Sequence, residues 1–251
     1  MSSRLRGKVA IITGSSRGIG RAVALLYASE GASLVVTSGS SLQAASTVAS
    51  EIQRQGGDAL PVKADVSNGA EVTEMVDAAL ARFHRIDILV NNAGFVEPRM
   101  LLDTSEEQWD RTLAVLLKGS FLCTKAVAPT MMAQRSGKII NVSAPSALRG
   151  SVGHADYASA KGGVVSLTRV TAKELASHGI NVNCVVPVAR TRMTEKEMVF
   201  SGRTEADHKT RYPLGRMADP SEIAPVFLFF ASKDSDYVTG QILAVDGGLT
   251  I

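Results

Sequence analysis

Hydrophobic residues in this chain form short continuous runs that alternate with longer amphipathic stretches. The short runs predict strands at residues 9–13, 34–37, 59–63, 86–90, 138–142, 181–186 and 241–245. The stretches between them predict helices at residues 19–30, 41–55, 71–83, 105–132 and 155–178. We expect Pro129 to bend the fourth of these helices. Continuous apolar strands separated by helices are typical of a parallel sheet that helices cover on both faces.

The pattern therefore predicts one doubly wound α/β domain that spans residues 1–251, with right-handed crossovers. A chain of 251 residues, of which 45% are hydrophobic, is long enough to build one large core. No internal repeat, linker or low-complexity stretch divides it. In such a sheet a ligand binds at the carboxyl ends of the strands, near the point where the strand order reverses.

Charge and composition narrow the range of partners. The net charge is only +3, and no stretch concentrates it into a basic patch, so we expect no nucleic-acid partner. The apolar runs are too short to cross a bilayer, and residues 1–8 lack the apolar core of a secretory signal. Cys123 and Cys184 lie in apolar runs, which indicates buried thiols in a reducing compartment. The four histidines are scattered and suggest no metal site. We predict a cytoplasmic protein without a membrane partner.

A glycine-rich turn lies between the first predicted strand and the first predicted helix, with the sequence Thr13-Gly14-Ser15-Ser16-Arg17-Gly18-Ile19-Gly20. Glycines permit a tight turn and a close approach of the backbone to a phosphate. The following helix presents its free N–H groups and the positive end of its dipole to such an anion. A glycine triplet alone usually marks only a turn, but its position between strand and helix predicts a dinucleotide site.

Tyr157 and Lys161 are four residues apart on the predicted helix at 155–178, so their side chains share one face. A phenol is a poor acid or base near neutral pH, because its ordinary pKa is about 10. A neighbouring ammonium group favours the phenolate and should lower that pKa, and such a phenol can exchange a proton with a carbonyl or alcohol oxygen. The spacing alone also fits a packed aromatic ring beside a solvated charge.

Three motifs occur in order on the expected elements: the glycine turn, the segment Asn91-Asn92-Ala93-Gly94 and the pair Tyr157 and Lys161. In this combination the chain resembles the classical short-chain dehydrogenase/reductase family, near its 3-oxoacyl reductases. The resemblance covers essentially the whole chain, including its tail at residues 236–248. It implies a single Rossmann domain with strand order 3-2-1-4-5-6-7, a nicotinamide cofactor and a homotetramer.

The resemblance also implies roles for individual residues. Tyr157 would exchange the proton with the substrate, and Lys161 would lower the pKa of that phenol and hold the nicotinamide ribose. Asp65 would lie near the adenine and Asn91 near the ribose, whereas Asn92 also fits an ordinary turn. The implied cofactor-binding residues are Gly14, Ser16, Arg17, Gly18, Ile19, Gly20, Ser38, Asp65, Val66, Asn91, Ala93, Gly94, Tyr157, Lys161 and Thr191.

The end of the second strand indicates which nicotinamide cofactor binds. NAD sites place a carboxylate there, on the ribose hydroxyls. This chain has Ser38 in that place, so no acid repels a 2′-phosphate, and Arg17 in the glycine turn could pair with one. Arg17 could also be a solvated loop charge. We predict NADP(H), with NAD(H) as the less favoured choice.

Two positions depart from the family pattern at the active site. Ala144 stands where the resemblance implies a serine, and Leu116 stands where it implies an asparagine on the long helix. Loss of a donor aimed at developing negative charge typically costs about 10²–10³ in rate. Both changes make the substrate pocket more apolar. Ser146 is a better candidate than Ser143 to supply the missing hydroxyl, because Ser143 should point to the other side of the strand end, although both also fit as plain loop hydroxyls.

Residues 188–215 are implied by the resemblance to be a mobile substrate lid. The loop that leads into it lacks the family's glycine after Pro187, and Thr191 is implied to meet the nicotinamide carboxamide. His154 is close enough to Tyr157 in sequence to touch substrate, although a loop histidine is more often a bystander. Four arginines have two interpretations. They could ring the mouth of the site and favour a substrate with an acidic tail, or they could be solvated charges. They are Arg99, Arg149, Arg190 and Arg192.

We predict an NADP(H)-dependent oxidoreductase that interconverts a ketone and a secondary alcohol by hydride transfer, with Tyr157 as the acid/base. The expected substrate is a small carbonyl compound or alcohol, and Leu116 and Ala144 should make turnover slow. Two alternatives remain open. The chain could be an NADP-binding partner or sensor with weak catalysis. It could also be a reductase altered at residues 116 and 144, by divergence or engineering, for a different substrate or stereochemistry.

Overall fold

The computed structural model describes residues 3–251, apart from the side chains at positions 205, 208 and 209. Within this range the strands are β1 (Val9–Ile12), β2 (Ser33–Ser38), β3 (Ala59–Lys63), β4 (Ile88–Asn91), β5 (Gly137–Val142), β6 (Ile180–Pro187) and β7 (Ile242–Val245). They form one sheet in the order β3-β2-β1-β4-β5-β6-β7, and all neighbouring strands pair in parallel. The predicted fold class and strand order are confirmed.

The α-helices of the described range are α1 (Gly18–Ser29), α2 (Leu42–Arg54), α3 (Gly69–Phe83), α4 (Glu106–Leu113), α5 (Gly119–Gln134), α6 (Ser146–Arg149), α7 (Ala155–Leu175), α8 (Arg192–Ser201), α9 (Glu205–Arg211) and α10 (Pro220–Ala231). The helix predicted at 105–132 is divided into α4 and α5 by a π-helical turn at Ala114–Lys118. The irregularity therefore lies upstream of Pro129, which is inside α5. Such π-helical turns occur frequently at functional sites.

Both faces of the sheet are buried, which explains why the strands are continuous apolar runs. Ala10 and Ile12 of β1 pack with α1, α2 and α10, whereas Ile11 points to the opposite face and packs with helices that include α3 and α5. β1 lies between β2 and β4, so the strand order reverses at this point. A crevice is expected at the carboxyl ends of the strands beside such a reversal.

One helical run of the described chain, Glu106–Gln134, is long and apolar enough to cross a membrane by length and composition. It packs on β4 and β5 and between α3 and α7. Because core helices of soluble proteins meet the same criterion, the run is weak evidence for a membrane span.

Candidate active site

A cavity of about 690 Å³ opens beyond the carboxyl ends of the central strands. Its walls come from the ends of β4, β5 and β6, from α7, and from the segment that contains α8 and α9. The predicted site residues that line it are Ile19, Gly94, Ala144, Ser146, His154, Tyr157, Lys161 and Thr191. The fold thus brings the glycine turn, the Tyr–Lys pair and the lid segment to one cavity, although they are far apart in sequence.

The glycine turn is built to approach a ligand closely. Gly14 and Gly18 have positive φ angles of 65° and 57°, which side chains other than glycine rarely adopt. A Cβ atom at Gly14 would lie 2.9 Å from the Ala93 Cα, and one at Gly20 would collide with the Asn92 amide and the Gly14 carbonyl. α1 begins after Arg17 without a side-chain cap, so its first N–H groups remain available to an anion. This cradle fits the pyrophosphate of a dinucleotide.

Thr13 and Asn92 fasten the glycine turn to the end of β4. The Thr13 hydroxyl accepts hydrogen bonds from the backbone N–H groups of Asn92 and Ala93, both at 3.0 Å. The Asn92 side-chain amide donates to the carbonyls of Thr13 and Gly14 at 2.9 and 3.1 Å. Asn92 therefore holds the shape of the turn, which its sequence position alone did not reveal.

Asn91, in contrast, points into the protein interior. Its side-chain amide donates to the Asn141 Oδ1 at 2.8 Å and to the Thr124 hydroxyl at 3.1 Å, and Asn141 donates in turn to Thr168 at 2.9 Å. This chain of bonds ties β4 and β5 to the helices α5 and α7. The side-chain donors of Asn91 are therefore used within the core. A position of Asn91 near the ribose stays a prediction, which its backbone would have to fulfil.

The residues predicted to bind the adenosine part of the cofactor lie at the ends of β2 and β3. Ser38 ends β2, and its hydroxyl accepts a bond from the Ser41 N–H at 3.3 Å. The carboxylate of Asp65 caps the next turn by accepting two bonds from Ser67, at 2.8 and 2.9 Å. Val66 is buried against Gly119, and this contact packs the turn after β3 against α5. Arg17 is exposed, and Ser16 is half-buried in the glycine turn beside it.

Tyr157 and Lys161 are both buried at the start of α7, with 9% and 4% of their surfaces exposed. The Lys161 ammonium donates to the carbonyl of Val142, at the end of β5, at 2.7 Å. It lies 5.9 Å from the centre of the Tyr157 ring. The predicted shared face is confirmed, and the lysine is anchored to the sheet rather than to the phenol.

Burial shifts the pKa of both groups in the direction of the neutral form. Burial raises the pKa of the Tyr157 phenol, and the carboxylate of Glu197 raises it further. Burial lowers the pKa of the Lys161 ammonium to about 8, although the nearby Cys184 thiol opposes this shift. The prediction that Tyr157 has a lowered pKa is wrong for this structure, because burial and the Glu197 carboxylate both raise that pKa.

The surroundings of Tyr157 are apolar. Tyr157 packs in one buried cluster with Leu116, Ala144, Val96 and Ala160. Leu116 lies in the π-helical turn and is only 1% exposed, and its methyl group is so close to Gly94 that a Cβ there would be 2.7 Å away. Ala144 lines the cavity, whereas Leu116 lies behind Gly94. The role of Leu116 in the substrate pocket stays a prediction, and in this structure Leu116 shares one apolar cluster with Ala144 and Tyr157.

The two serines after β5 have different environments. The Ser143 hydroxyl donates to the Lys161 carbonyl at 2.8 Å, so it serves to join β5 to α7. The Ser146 hydroxyl is buried, lines the cavity and has no hydrogen-bond partner among the described residues. Because buried polar groups are nearly always satisfied, the Ser146 hydroxyl is available to a ligand.

His154 links α7 to the lid segment. One ring nitrogen lies 2.8 Å from the Val152 carbonyl, and the other lies 3.0 Å from a Glu197 carboxylate oxygen on α8. Its ring also meets the edge of the Tyr157 ring, with 5.9 Å between centroids. Burial lowers the pKa of His154, but the contacts with Glu197 and Val152 outweigh burial, so the net pKa is raised.

The segment after β6 forms two short helices over the cavity. Thr191 caps α8, where its hydroxyl accepts a bond from the Thr194 N–H at 3.4 Å, and it lines the cavity. Further down α8, the ring of Phe200 lies over Gly153 so closely that a Cβ there would collide with it. The loop is held at its base, where the Arg190 N–H donates to the Ala218 carbonyl at 2.8 Å.

Known proteins share both the sequence and this architecture. The profile of the family described as enoyl-(acyl carrier protein) reductase matches residues 14–250. A Thermotoga maritima protein named 3-oxoacyl-[acyl-carrier-protein] reductase FabG is 41% identical over 249 residues, covering 99% of this chain and 100% of that protein. A Synechocystis protein named 3-oxoacyl-[acyl-carrier-protein] reductase is 42% identical, covering 98% of both chains. A short-chain type dehydrogenase/reductase from Mycobacterium marinum has a crystal structure that superposes with a TM-score of 0.93, at 38% identity, covering 99% of this chain and 98% of that one.

The chain belongs to the short-chain dehydrogenase/reductase family. It is therefore an oxidoreductase that uses a nicotinamide cofactor. The resemblance stated from its three sequence motifs is confirmed.

Sequence reasoning missed three polar residues of this short-chain dehydrogenase/reductase site. Asn92 shapes the glycine turn, and Glu197 contacts His154. Asp156 is buried beside Tyr157, where it accepts bonds from the Thr112 hydroxyl at 2.8 Å and from the Tyr157 N–H at 2.7 Å. Asp156 thereby fixes the start of α7 against α4. An acid next to the key tyrosine was a signal that could have drawn attention to it, whereas Glu197 carried no such signal.

Proposed function

We propose that the protein is an NADP(H)-dependent reductase that converts a ketone into a secondary alcohol and can run in reverse. The observation that carries this proposal is the cavity that Tyr157, Lys161 and the glycine turn share at the carboxyl ends of the strands. The names of the bacterial relatives favour a 3-oxoacyl thioester, free or attached to a carrier protein, over other small carbonyl compounds.

The residues of the glycine turn fit a dinucleotide with a 2′-phosphate. The N–H groups at the start of α1 bind the pyrophosphate, and Gly14, Gly18 and Gly20 leave room for it. Ser38 leaves the end of β2 without an acid, and the exposed Arg17 is free to pair with a 2′-phosphate. When bound, the nicotinamide supplies or accepts the hydride.

Tyr157 acts as the acid in the reduction. Its raised pKa keeps the phenol protonated near neutral pH, so the hydroxyl donates its proton to the substrate oxygen as negative charge develops there. Lys161 holds the nicotinamide ribose and brings positive charge to the site. With a pKa of about 8, it remains mainly charged at neutral pH.

Ser146 replaces the hydroxyl that Ala144 lacks. Its buried, unpartnered hydroxyl lines the cavity and donates a hydrogen bond to the substrate oxygen. A donor in this position stabilises the developing charge, although its placement on α6 rather than at residue 144 makes it a weaker substitute. We therefore expect turnover that is slow but measurable.

The lid and the assembly also belong to this proposal. Residues 188–215 close over the substrate, and the pair of His154 and Glu197 holds the lid against α7. The protein works as a homotetramer in the cytoplasm, and the exposed Phe121 on α5 and Val170 on α7 offer apolar surface for self-association.

The test is oxidation of NADPH with a panel of 3-oxoacyl thioesters, β-keto esters and bulky ketones. Tyr157→Phe should lower kcat by about 10²–10⁴, as loss of a general acid does, while NADPH affinity stays unchanged. Tyr237→Phe, at a fully exposed tyrosine, is the control and should match wild type.

One observation favours a second function. The apolar cluster of Leu116, Ala144 and Tyr157 suits a protein that binds NADP as a partner or sensor with little catalysis. If wild type binds NADPH but turns over no member of the panel, the reductase proposal fails and this second function replaces it. Turnover that persists in Tyr157→Phe would remove the role proposed for the phenol.

A further inference from the structure

The mouth of the cavity carries an excess of positive charge. Arg149 ends α6, Arg203 follows α8 and Arg211 ends α9, and all three line the cavity that contains Tyr157. Of the arginines predicted to ring the mouth, only Arg149 lines it. Arg99, Arg190 and Arg192 do not line the cavity, which leaves the interpretation of the four as one ring without support, and Arg203 and Arg211 of the lid segment line it instead.

The three arginines form no salt bridge within the described side chains, although the Glu197 carboxylate acts on Arg211 and by itself would raise its pKa. The one carboxylate among the described lining residues is Glu197, and it is engaged by His154 at 3.0 Å. Several arginines elsewhere on the surface do form salt bridges, such as Arg216 with Glu222.

The arginines are close enough to repel one another. Burial lowers the pKa of Arg211, and the positive charges of Arg203 and Arg149 lower it further, which outweighs the opposite effect of Tyr212 and Glu197. Arg149 and Arg203 are exposed and Arg211 is half-buried. Like charges held close together disfavour the charged state, and a bound anion would relieve that repulsion. The guanidinium fork matches the oxygens of a carboxylate or a phosphate.

We propose that Arg149, Arg203 and Arg211 form an anion-binding subsite that holds a carboxylate or phosphate of the substrate while its carbonyl lies at Tyr157. This inference rests on the proposed reductase function and names its substrate class, an anionic keto compound. Because Arg203 and Arg211 belong to the lid segment, the anion also draws that segment over the cavity.

The experiment uses two matched substrate pairs that differ only in the anion. One pair is 5-oxohexanoate and its ethyl ester, which tests a carboxylate. The other is acetoacetyl-coenzyme A and acetoacetyl-N-acetylcysteamine, which tests phosphate. Wild type should prefer the anionic member of at least one pair by about tenfold or more in kcat/KM, since hydrogen bonds between charged groups are stronger than those between neutral groups. The pair that shows the preference identifies the source of the anion.

The triple variant R149Q/R203Q/R211Q should lose that preference. We expect kcat/KM for the anionic member to fall about 10- to 100-fold, with a change under about threefold for the neutral member. Arg54→Gln, at an exposed arginine that ends α2, is the control and should change neither. If the triple variant does not fold, the single variants at Arg149 and Arg203 should each show a smaller loss in the same direction.

A second measurement does not depend on any variant. Inorganic phosphate should inhibit wild type competitively with the anionic substrate. Phosphate that competes only with NADPH would assign the effect to the cofactor site and overturn the proposal. Equal losses for both members of a pair would also overturn it. If wild type reduces neither member of either pair, the reductase proposal itself has failed, whereas reduction without any anion preference defeats only the subsite.

Discussion

The side of the cavity that we propose for the cofactor and the side that we propose for the substrate differ in how their polar groups are paired. On the cofactor side, Thr13, Asn92 and the glycine turn satisfy one another through short hydrogen bonds, and the ligand is left a cradle of backbone. On the substrate side, the Ser146 hydroxyl has no hydrogen-bond partner and the arginines of the mouth form no salt bridge among the described residues.

This difference in pairing separates the groups that hold the site in shape from the groups that bind a ligand. A polar group that is hydrogen-bonded inside the protein fixes the geometry of the site. A polar group without a partner can still form a hydrogen bond with a ligand. The cofactor side therefore presents one shape to one kind of molecule. The substrate side presents charges and a free hydroxyl, and these decide what it binds.

Among variants that test this comparison, the largest expected effect comes from polar side chains at residues 116 and 144. The double variant L116N/A144S should raise kcat/KM for a neutral ketone by about 10²–10³, because it returns a donor to the developing oxyanion. NADPH affinity should not change, since both residues lie away from the glycine turn.

Ala147→Ser on α6 is the matched control for this gain, because it adds a hydroxyl one turn away from Ala144. The single variant Ala144→Ser separates the donor from the risk of burying an amide at Leu116, which is 1% exposed. A double variant that folds and shows no gain would mean that the apolar cluster does not limit turnover.

The next largest effect is a loss of NADPH affinity when the glycine turn is overpacked. Gly20→Ala places a methyl group against the Asn92 amide and the Gly14 carbonyl, and overpacking of this kind costs about 1–3 kcal/mol. NADPH affinity should fall about tenfold, which corresponds to about 1.4 kcal/mol. Titration of the bound cofactor's fluorescence measures it.

Gly162→Ala is the control for this variant, because a Cβ atom at Gly162, within α7, meets nothing within 4 Å. It should leave NADPH affinity unchanged and stabilise the protein by about 0.5–1 kcal/mol through helix propensity. Equal NADPH affinity in Gly20→Ala and wild type would show that the turn is more adaptable than its hydrogen bonds suggest.

Removal of the unpartnered hydroxyl should have a smaller effect. Ser146→Ala should lower kcat by about tenfold, with little change in KM, since the proposed bond strengthens only as charge develops. In the Ala144→Ser variant, the further change Ser146→Ala should lower kcat far less. Ser151→Ala, also at the cavity, is the control. A loss that is undiminished in the Ala144→Ser variant would contradict the role of Ser146 as a substitute donor.

The smallest effect is a pH dependence of stability. The raised pKa of His154 means that its pairing with Glu197 stabilises the fold fully below the ordinary histidine pKa of 6.5. That contribution is lost as pH rises through the raised pKa. Glu197→Gln should therefore lower Tm at acidic pH by an amount equivalent to at most about 1 kcal/mol, because Glu197 is 42% exposed.

Thermal melts at several pH values, with the exposed Glu195→Gln as control, measure this dependence. The Tm difference between wild type and Glu197→Gln should close at alkaline pH. A difference that persists unchanged there would show that Glu197 acts by packing rather than by its charge on His154.

The sequence by itself determined the fold and the location of the site. Buried parallel strands must be apolar on both faces, so the strand order followed from a family pattern that hydrophobic runs and glycines record directly. The turn at Gly14, Gly18 and Gly20 and the pair of Tyr157 and Lys161 are local motifs, because their chemistry depends on residues close together in the chain.

Only the tertiary structure decided which side chains meet from distant segments. The Asn91 side chain bonds to Asn141 in the core, whereas the Asn92 side chain bonds to the glycine turn. Leu116 packs against Gly94, and Glu197 contacts His154. The tertiary structure also raised the pKa of Tyr157 where spacing predicted a lowered one. The physical reason is that burial, desolvation and contacts between distant residues depend on three-dimensional packing, which no local spacing encodes.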